Sequence, residues 1–161
     1  MNIRSAVSEK DFERVWEMFK QVIDEGTYYT YDHRTARADI EKSWINQAHL
    51  VYVVEMEGEI AGAYIVKPNQ PGHGAHIANA AYMVDARFRN RGLGRKLGEH
   101  SLLIAKEAGF RAMQFNFVVG TNQAAVKLWQ SLGFDIIGTI PEAFLHFEKG
   151  YVDAYIMYRK L

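Results

Sequence analysis

The segment Val84-Asp85-Ala86-Arg87-Phe88-Arg89-Asn90-Arg91-Gly92-Leu93-Gly94-Arg95-Lys96 gathers the residue types that hold an anion. It lies where a strand-like run gives way to a helical one. Glycine there lets backbone approach a ligand with no side chain between. The first turn of a helix adds unpaired N–H groups and the positive end of its dipole. Together these seat an oxyanion or a phosphate. Between Asp85 and Glu99 every charged residue is a cation. The competing reading is a basic surface loop closed by glycines, because short glycine motifs also match by chance. Neither G-x-x-x-x-G-K-[ST] nor G-x-G-x-x-G occurs, so a Walker loop and a Rossmann dinucleotide site are both unsupported.

Other chemistries find less support. The chain has no cysteine, which removes disulfides, thiolate metal ligands and a cysteine nucleophile. His73 and His76 form H-x-x-H across a glycine loop, but further ligands at metal-binding spacing are missing, so no metal is expected. His76 stands as a candidate proton relay at a strand entrance.

The elements that position these residues follow from 161 residues, a length that fits a single domain, 1–161. Hydrophobic residues make up 48% and charged residues 24%, the balance of a globular protein. With 19 basic and 19 acidic residues the formal charge is zero, which argues against nucleic acid or an anionic membrane as a partner. No apolar run approaches the roughly 20 residues of a membrane span, and the N-terminus lacks a signal-peptide pattern. A cytoplasmic protein is expected.

A strand is predicted over 2–6, then a helix capped by Ser8 with Asp11 in its first turn. Phe12, Val15, Trp16, Phe19 and Ile23 give that helix one apolar face, and Gly26 ends it. An aromatic loop, Thr27-Tyr28-Tyr29-Thr30-Tyr31, leads to a helix near 35–48 with Ile40 and Trp44 on one side. Strands at 50–56 and 60–66 read as a hairpin through Glu57-Gly58-Glu59. Then come a strand over 76–85, a helix over 92–108 with Leu93, Leu97, Ile104 and Ala108 inward, and a strand over 113–119. A helix capped near Thr121 or Asn122 stops at Gly133, and strands at 134–140 and 151–159 finish the chain. The predicted order is β-α-α-β-β-β-α-β-α-β-β, an α/β (α+β) fold with a mixed seven-stranded sheet and about four helices.

Arg89-Asn90-Arg91-Gly92-Leu93-Gly94 resembles the [QR]-x-x-G-x-[GA] signature of the GNAT acyltransferases. Asn122-Gln123-Ala124-Ala125-Val126-Lys127-Leu128-Trp129 with Gly133-Phe134 resembles that family's N-x-x-A-x-x-L-Y-x-x-x-G-F, in the expected order and separation. The resemblance implies the GNAT fold along nearly the whole chain and acetyl-CoA as co-substrate, its pyrophosphate on the backbone amides of residues 89–94, with Arg95 alongside. Val84 and its neighbours would pair with the pantetheine arm like an added strand, and Asn122 would contact that arm from the facing helix. A backbone N–H near Met83 or Val84 would hold the oxyanion. A closer likeness lies in Tyr64-Ile65-Val66-Lys67-Pro68-Asn69-Gln70-Pro71-Gly72, His76-Ile77-Ala78-Asn79-Ala80, Met113-Gln114-Phe115-Asn116-Phe117-Val118-Val119 and Gly150-Tyr151-Val152-Asp153-Ala154-Tyr155. These look like the fungal azetidine-2-carboxylate acetyltransferases, which implies a small amino or imino acid as acceptor.

The family's usual strand-borne glutamate is missing, since residues 76–84 contain no carboxylate. Its usual helix-borne tyrosine is Trp129, which donates a hydrogen bond but is no practical acid. Trp129 reads equally as core packing, and Tyr82 and Tyr155 are the available substitutes. Asn79 and Asn116 stand on strands otherwise rich in Ala, Phe and Val, where an amide must be hydrogen-bonded. They are assigned to acceptor positioning, with Asn116 orienting the attacking nitrogen or a water. The alternative is that they satisfy sheet edges where strands separate. Tyr28, Tyr31, Phe117 and Tyr82 are assigned to the acceptor pocket. The segment Glu142-Ala143-Phe144-Leu145-His146-Phe147 between the last strands either lines that pocket or serves a homodimer interface. A protein or peptide acceptor, and a non-catalytic acyl-CoA sensor, are the rival readings.

Overall fold

The computed structural model describes residues 1–44 and 49–161. Among these the order is β1 (Asn2–Ser5), α1 (Glu9–Asp24), α2 (Arg37–Trp44), β2 (Leu50–Met56), β3 (Glu59–Pro68) and β4 (Ile77–Val84). It continues with α3 (Leu93–Glu107), β5 (Ala112–Val119), α4 (Gln123–Ser131), β6 (Asp135–His146) and β7 (Gly150–Lys160). The expected order of elements holds. One seven-stranded sheet runs β1-β2-β3-β4-β5-β7-β6, antiparallel except at β4–β5. Of the predicted 35–48 helix, Arg37–Trp44 is helical, and the part after Trp44 lies outside the described residues.

Strand alternation sends side chains to two cores, one on each face. Tyr64, Val66, Ala78, Ala80, Met113 and Phe115 join Leu93, Leu97, Leu102 and Trp129 from α3 and α4. On the other face Val53, Ala63, Ile65 and Met83 join Val15, Met18, Phe19, Ile40 and Trp44 from α1 and α2.

Three expectations need correction. The buried face of α1 is Val15, Met18, Phe19, Val22 and Ile23, with Phe12 and Trp16 only half-buried, so the helix is rotated from the predicted stripe. On α3 the inward residues after Leu97 are Gly98, Ser101, Leu102 and Ala105, while Ile104 is half-buried and Ala108 exposed. A Cβ on Gly98 would lie 2.7 Å from Leu132 Cδ1 and 3.0 Å from Trp129, so small residues mark where α4 and the chain after it approach. Finally, residues 142–146 do not lie between strands: β6 bulges between Ile140 and Phe144 and pairs with β7 as far as His146. Phe144 is buried against the Phe117 ring, and Leu145 is exposed.

Ser8 caps α1 in a capping box with Asp11. Asp11 is buried and accepts from both terminal nitrogens of Arg4, at 2.9 and 2.8 Å, and from the Val7 and Ser8 amides. The Arg4 hydrogen bonds, more than the backbone ones, hold its carboxyl well below the usual carboxylate range despite burial. A depressed acid stabilises the fold above its unfolded pKa, about 3.9, and that stability is lost as pH falls below it. Asp11→Asn is therefore expected to cost about 2 kcal/mol at neutral pH, the scale of hydrogen bonds to a charged group. In urea unfolding its gap from wild type should shrink on acidification toward pH 3; a widening gap would contradict the assignment.

Candidate active site

The sheet opens in its middle. β4 and β5 pair only at Ile77↔Ala112 and Ala78↔Met113, after which the strands part. On its other edge β4 keeps a regular antiparallel ladder with β3 from Pro68↔Ala78 to Gly62↔Val84. The Asn69 amide donates to Ile77 O and the Asp85 amide to Ala61 O at the two ends of that ladder. Antiparallel hydrogen bonding alternates residue by residue, so Ile77, Asn79, Ala81, Met83 and Asp85 turn their backbone groups to β3. Ala80, Tyr82 and Val84 turn theirs into the gap. Met83, expected beside Val84 as an oxyanion donor, is thus engaged with Ala63, and its buried side chain joins the α1–α2 core. Val84 and Tyr82 carry the free N–H groups.

β5 borders the gap with a bulge. Phe115 pairs with Met157 and Val118 with Tyr155, so Asn116 and Phe117 together oppose the single Ile156. Bulges re-aim side chains and gather beside sites, and this one brings both residues to the cleft. That cleft holds about 450 Å3, and Tyr28, Tyr31, Asn79, Tyr82, Asn116, Phe117 and Asn122 all line it. Every residue expected in the acceptor pocket is brought together, with both asparagines beside them.

The amides are oriented by partners. Asn79 Nδ2 donates to Gln114 O at 2.9 Å, on the β5 backbone just past the last paired rung. Asn116 Oδ1 accepts from Gln114 Nε2 at 2.9 Å, and its Nδ2 donates to Asn69 Oδ1 at 2.7 Å. Asn122 Oδ1 caps α4 through the Ala125 amide.

Aromatic residues close the cleft. The Tyr29 hydroxyl donates to Tyr82 O at 2.6 Å, pinning the loop between α1 and α2 onto the free edge of β4. Burial pushes the Tyr29 and Tyr82 hydroxyls well above the usual phenol range. Tyr82 Oη shares a hydrogen bond of 2.7 Å with Ser101 Oγ on α3 and lies 3.6 Å from Met113 Sδ on β5. Trp129 is buried, with its ring 4.7 Å from Tyr82 and 4.8 Å from Phe115. His76 is exposed with its Nδ1 near His73 O, and neither it nor Tyr155 lines the cleft.

Beyond Val84 the chain turns into α3. Asn90 and Gly92 both adopt left-handed backbone, φ 62° and 78°. A Cβ on Gly92 would meet nothing, so conformation rather than space calls for glycine there. Gly94 serves packing instead, its Cβ position lying 3.3 Å from Leu128 Cδ2 of α4. Lys96 N is the first amide of α3 bonded back, to Gly92 O. The N–H groups of Leu93, Gly94 and Arg95 open this helix and point out of its end.

The arginines around that turn are not free cations. Arg87 pairs with Asp85 and Glu59, Arg89 with Glu25 at 2.6 Å, Arg91 with Glu57 at 2.7 Å, and Arg95 with Glu99 at 3.6 Å. The buried Asp85 also pairs with Arg14 and caps the short turn through the Arg87 amide. Burial raises its pKa, but the hydrogen bonds from Arg87 and the charge of Arg14 outweigh this and hold it below the usual range. The turn is braced by ion pairs, and its backbone amides offer the seat.

Sequence reasoning missed Thr30, Trp44, Ala80 and Lys67 as lining residues, and Asn69 and Gln114 as orienting partners. The β3–β4 hairpin register, which sets Lys67 opposite Asn79, is the signal that leads to Lys67. Among the described residues no group of acidic or histidine side chains suits a metal ion, and no helix is long and apolar enough to cross a membrane.

The sequence profile of the acetyltransferase (GNAT) family matches residues 15–134. A GCN5-related N-acetyltransferase from Kribbella flavida is 41% identical and superposes with a TM-score of 0.93, over 99% of this chain and 97% of its own. N-acetyltransferase aca1 of Schizosaccharomyces pombe is 38% identical over 104 residues, 64% of this chain and 50% of that protein. L-amino acid N-acetyltransferase AaaT of Escherichia coli is 29% identical over 105 residues, 65% of this chain and 64% of that protein. This chain thus spans half the length of the first curated relative and under two thirds of the second. The chain belongs to the acetyltransferase (GNAT) family.

Proposed function

We propose that the protein transfers acetyl from acetyl-CoA to the nitrogen of a small amino or imino acid, of the proline-analogue type. The observation that carries this reading is the parted β4–β5 pair, with free backbone donors at Tyr82 and Val84 leading from the α3 turn to a cleft walled by Tyr28, Tyr31 and Phe117. The pyrophosphate would rest on the amides of the Arg89–Arg95 turn, and the pantetheine would add to β4 as a strand. An amino-acid acceptor agrees with the name of the Escherichia coli relative, an L-amino acid N-acetyltransferase. A cleft roofed by an aromatic loop pinned to β4 favours a small acceptor over a peptide.

The chemistry is a direct attack. The free amine adds to the thioester carbonyl, a backbone N–H holds the oxyanion, and the thiolate leaves while the attacking nitrogen gives up its N–H proton to water, so that a neutral amide forms. Thiol pKa values near ~8.5 let the thiolate depart without a dedicated acid. Among the described residues lining the cleft there is no carboxylate, histidine or cysteine. The acceptor must arrive unprotonated or lose its proton to water.

The test is an acceptor screen with acetyl-CoA that detects both free thiol and new amide. Proline-type imino acids and small amino acids should be acetylated and peptides left unmodified. At low acceptor concentration the rate should climb about tenfold per pH unit until the acceptor's own ammonium is titrated. Acetylation confined to peptides, or no thiol release with any acceptor, would overturn the reading.

A further inference from the structure

Lys67 lies near the end of β3, half-buried, and is the one charged side chain lining the cleft among the described residues. The arginines of the α3 turn each hold a carboxylate, but the Lys67 ammonium has no ion pair or hydrogen bond with a described residue. An ammonium that faces a cleft with no counter-ion is placed to take up an anion. Its neighbour across the ladder is Asn79. Directly opposed residues share a face with Cβ atoms about 5 Å apart. Asn79 Nδ2 is committed to Gln114 O, and no described residue donates to its Oδ1. Asn116 has one bond at each polar atom, to Gln114 and Asn69, and keeps one lone pair and one proton. This wall therefore offers an ammonium and an amide oxygen side by side, which suits a ligand carrying a carboxylate next to an N–H.

We infer that Lys67 binds the carboxylate of the acceptor, while Asn79 Oδ1 accepts from the acceptor's nitrogen, which makes a free α-carboxylate a requirement of the substrate. The inference rests on the proposed acetyltransferase reading and adds the group that selects the acceptor. Lys67 acts in recognition: it touches the carboxylate and carries no proton in the transfer. The attacking nitrogen, one carbon from that carboxylate, is then held at the vertex of the gap, where β4 and β5 part.

The experiment compares proline with prolinamide and pyrrolidine as acceptors, with acetyl-CoA saturating, in wild type, Lys67→Met and Lys67→Arg. Wild type should prefer proline by at least about 30-fold in kcat/KM, the scale of a charge-assisted contact. In Lys67→Met the loss should fall on KM for proline, bringing its kcat/KM to that of prolinamide, with the KM for acetyl-CoA and the thermal midpoint unchanged. Lys67→Arg should restore much of the preference. Equal use of proline and prolinamide by wild type would overturn the inference while leaving the acetyltransferase reading standing. So would a Lys67→Met enzyme that keeps the wild-type preference. Should Lys67→Met fail to fold, the wild-type comparison and Lys67→Arg decide alone. Absence of acetylation with all three acceptors would overturn both the inference and the amino-acid reading beneath it.

Discussion

Val84→Pro is expected to lower kcat/KM for acetyl-CoA by about 100-fold, the scale of losing one backbone donor to a developing oxyanion, in a protein that remains folded. The two halves of this expectation come from one register. Val84 pairs with Gly62 at a position where its N–H points away from β3 and into the gap. Proline removes that donor without taking a rung from the ladder. It also leaves the preceding residue extended, as β4 already requires. Met83→Pro makes the contrast, because the Met83 N–H faces Ala63 inside the sheet. That variant should lose a central ladder bond, leave a cavity in the α1–α2 core and fail to fold. Circular dichroism and acetyl-CoA titration separate the two. A fall in kcat would make Val84 the oxyanion donor. A rise in KM would give Val84 to the pantetheine and the oxyanion to Tyr82 N–H, two residues nearer the vertex. Val84→Pro with unchanged kcat/KM would remove β4's free edge from the reaction.

Much of this site is legible in the amino-acid sequence, and the parts that are not share a cause. The phosphate turn is local: its left-handed residues, its glycines and its position between strand and helix all occur within a few consecutive residues. So is the capping of α1 by Ser8 and Asp11 and of α4 by Asn122. What escapes depends on residues far apart in the chain. The arginines of the turn read as free positive charge, yet their partners Glu25, Glu57 and Glu59 come from the end of α1 and from the β2–β3 hairpin. The parting of β4 and β5 leaves no mark in either strand, because both are largely apolar. For the same reason the run Met113–Val119 hides its bulge, since a mostly apolar stretch has no clear phase to lose. Lys67 reads as one cation in an apolar strand, the usual mark of a side chain reaching to solvent; only its register opposite Asn79 places it in a cleft. The α1 stripe is misplaced by periodicity because neighbouring helical stripes differ by a fraction of a turn. Burial of Asp11, whose charge Arg4 holds, tips the helix onto Met18 and Val22.

Asn116→Ala is expected to lower turnover by about 10- to 100-fold, the cost of misplacing a reacting group by a fraction of an ångström to an ångström, with KM for acetyl-CoA unchanged. Asn116 stands on the bulge, across the gap from Asn79, and is held from both sides: Gln114 donates to its Oδ1 and it donates to Asn69. An amide oxygen has two lone pairs and an amide nitrogen two protons, so one of each remains for the acceptor. The held amide can therefore aim the nitrogen's lone pair at the thioester without exchanging a proton. Its exposure in the cleft means that truncation removes little packing, which separates this role from a structural one. Asn69→Ala serves as the second measurement, since Asn69 lies outside the cleft lining and acts through Asn116. Freed on one side, Asn116 should still turn over, several-fold more slowly, again without change in KM for acetyl-CoA. If Asn116→Ala turns over as fast as wild type, the amide merely closes the mouth of the parted strands, and the nitrogen is aimed by Asn79 alone.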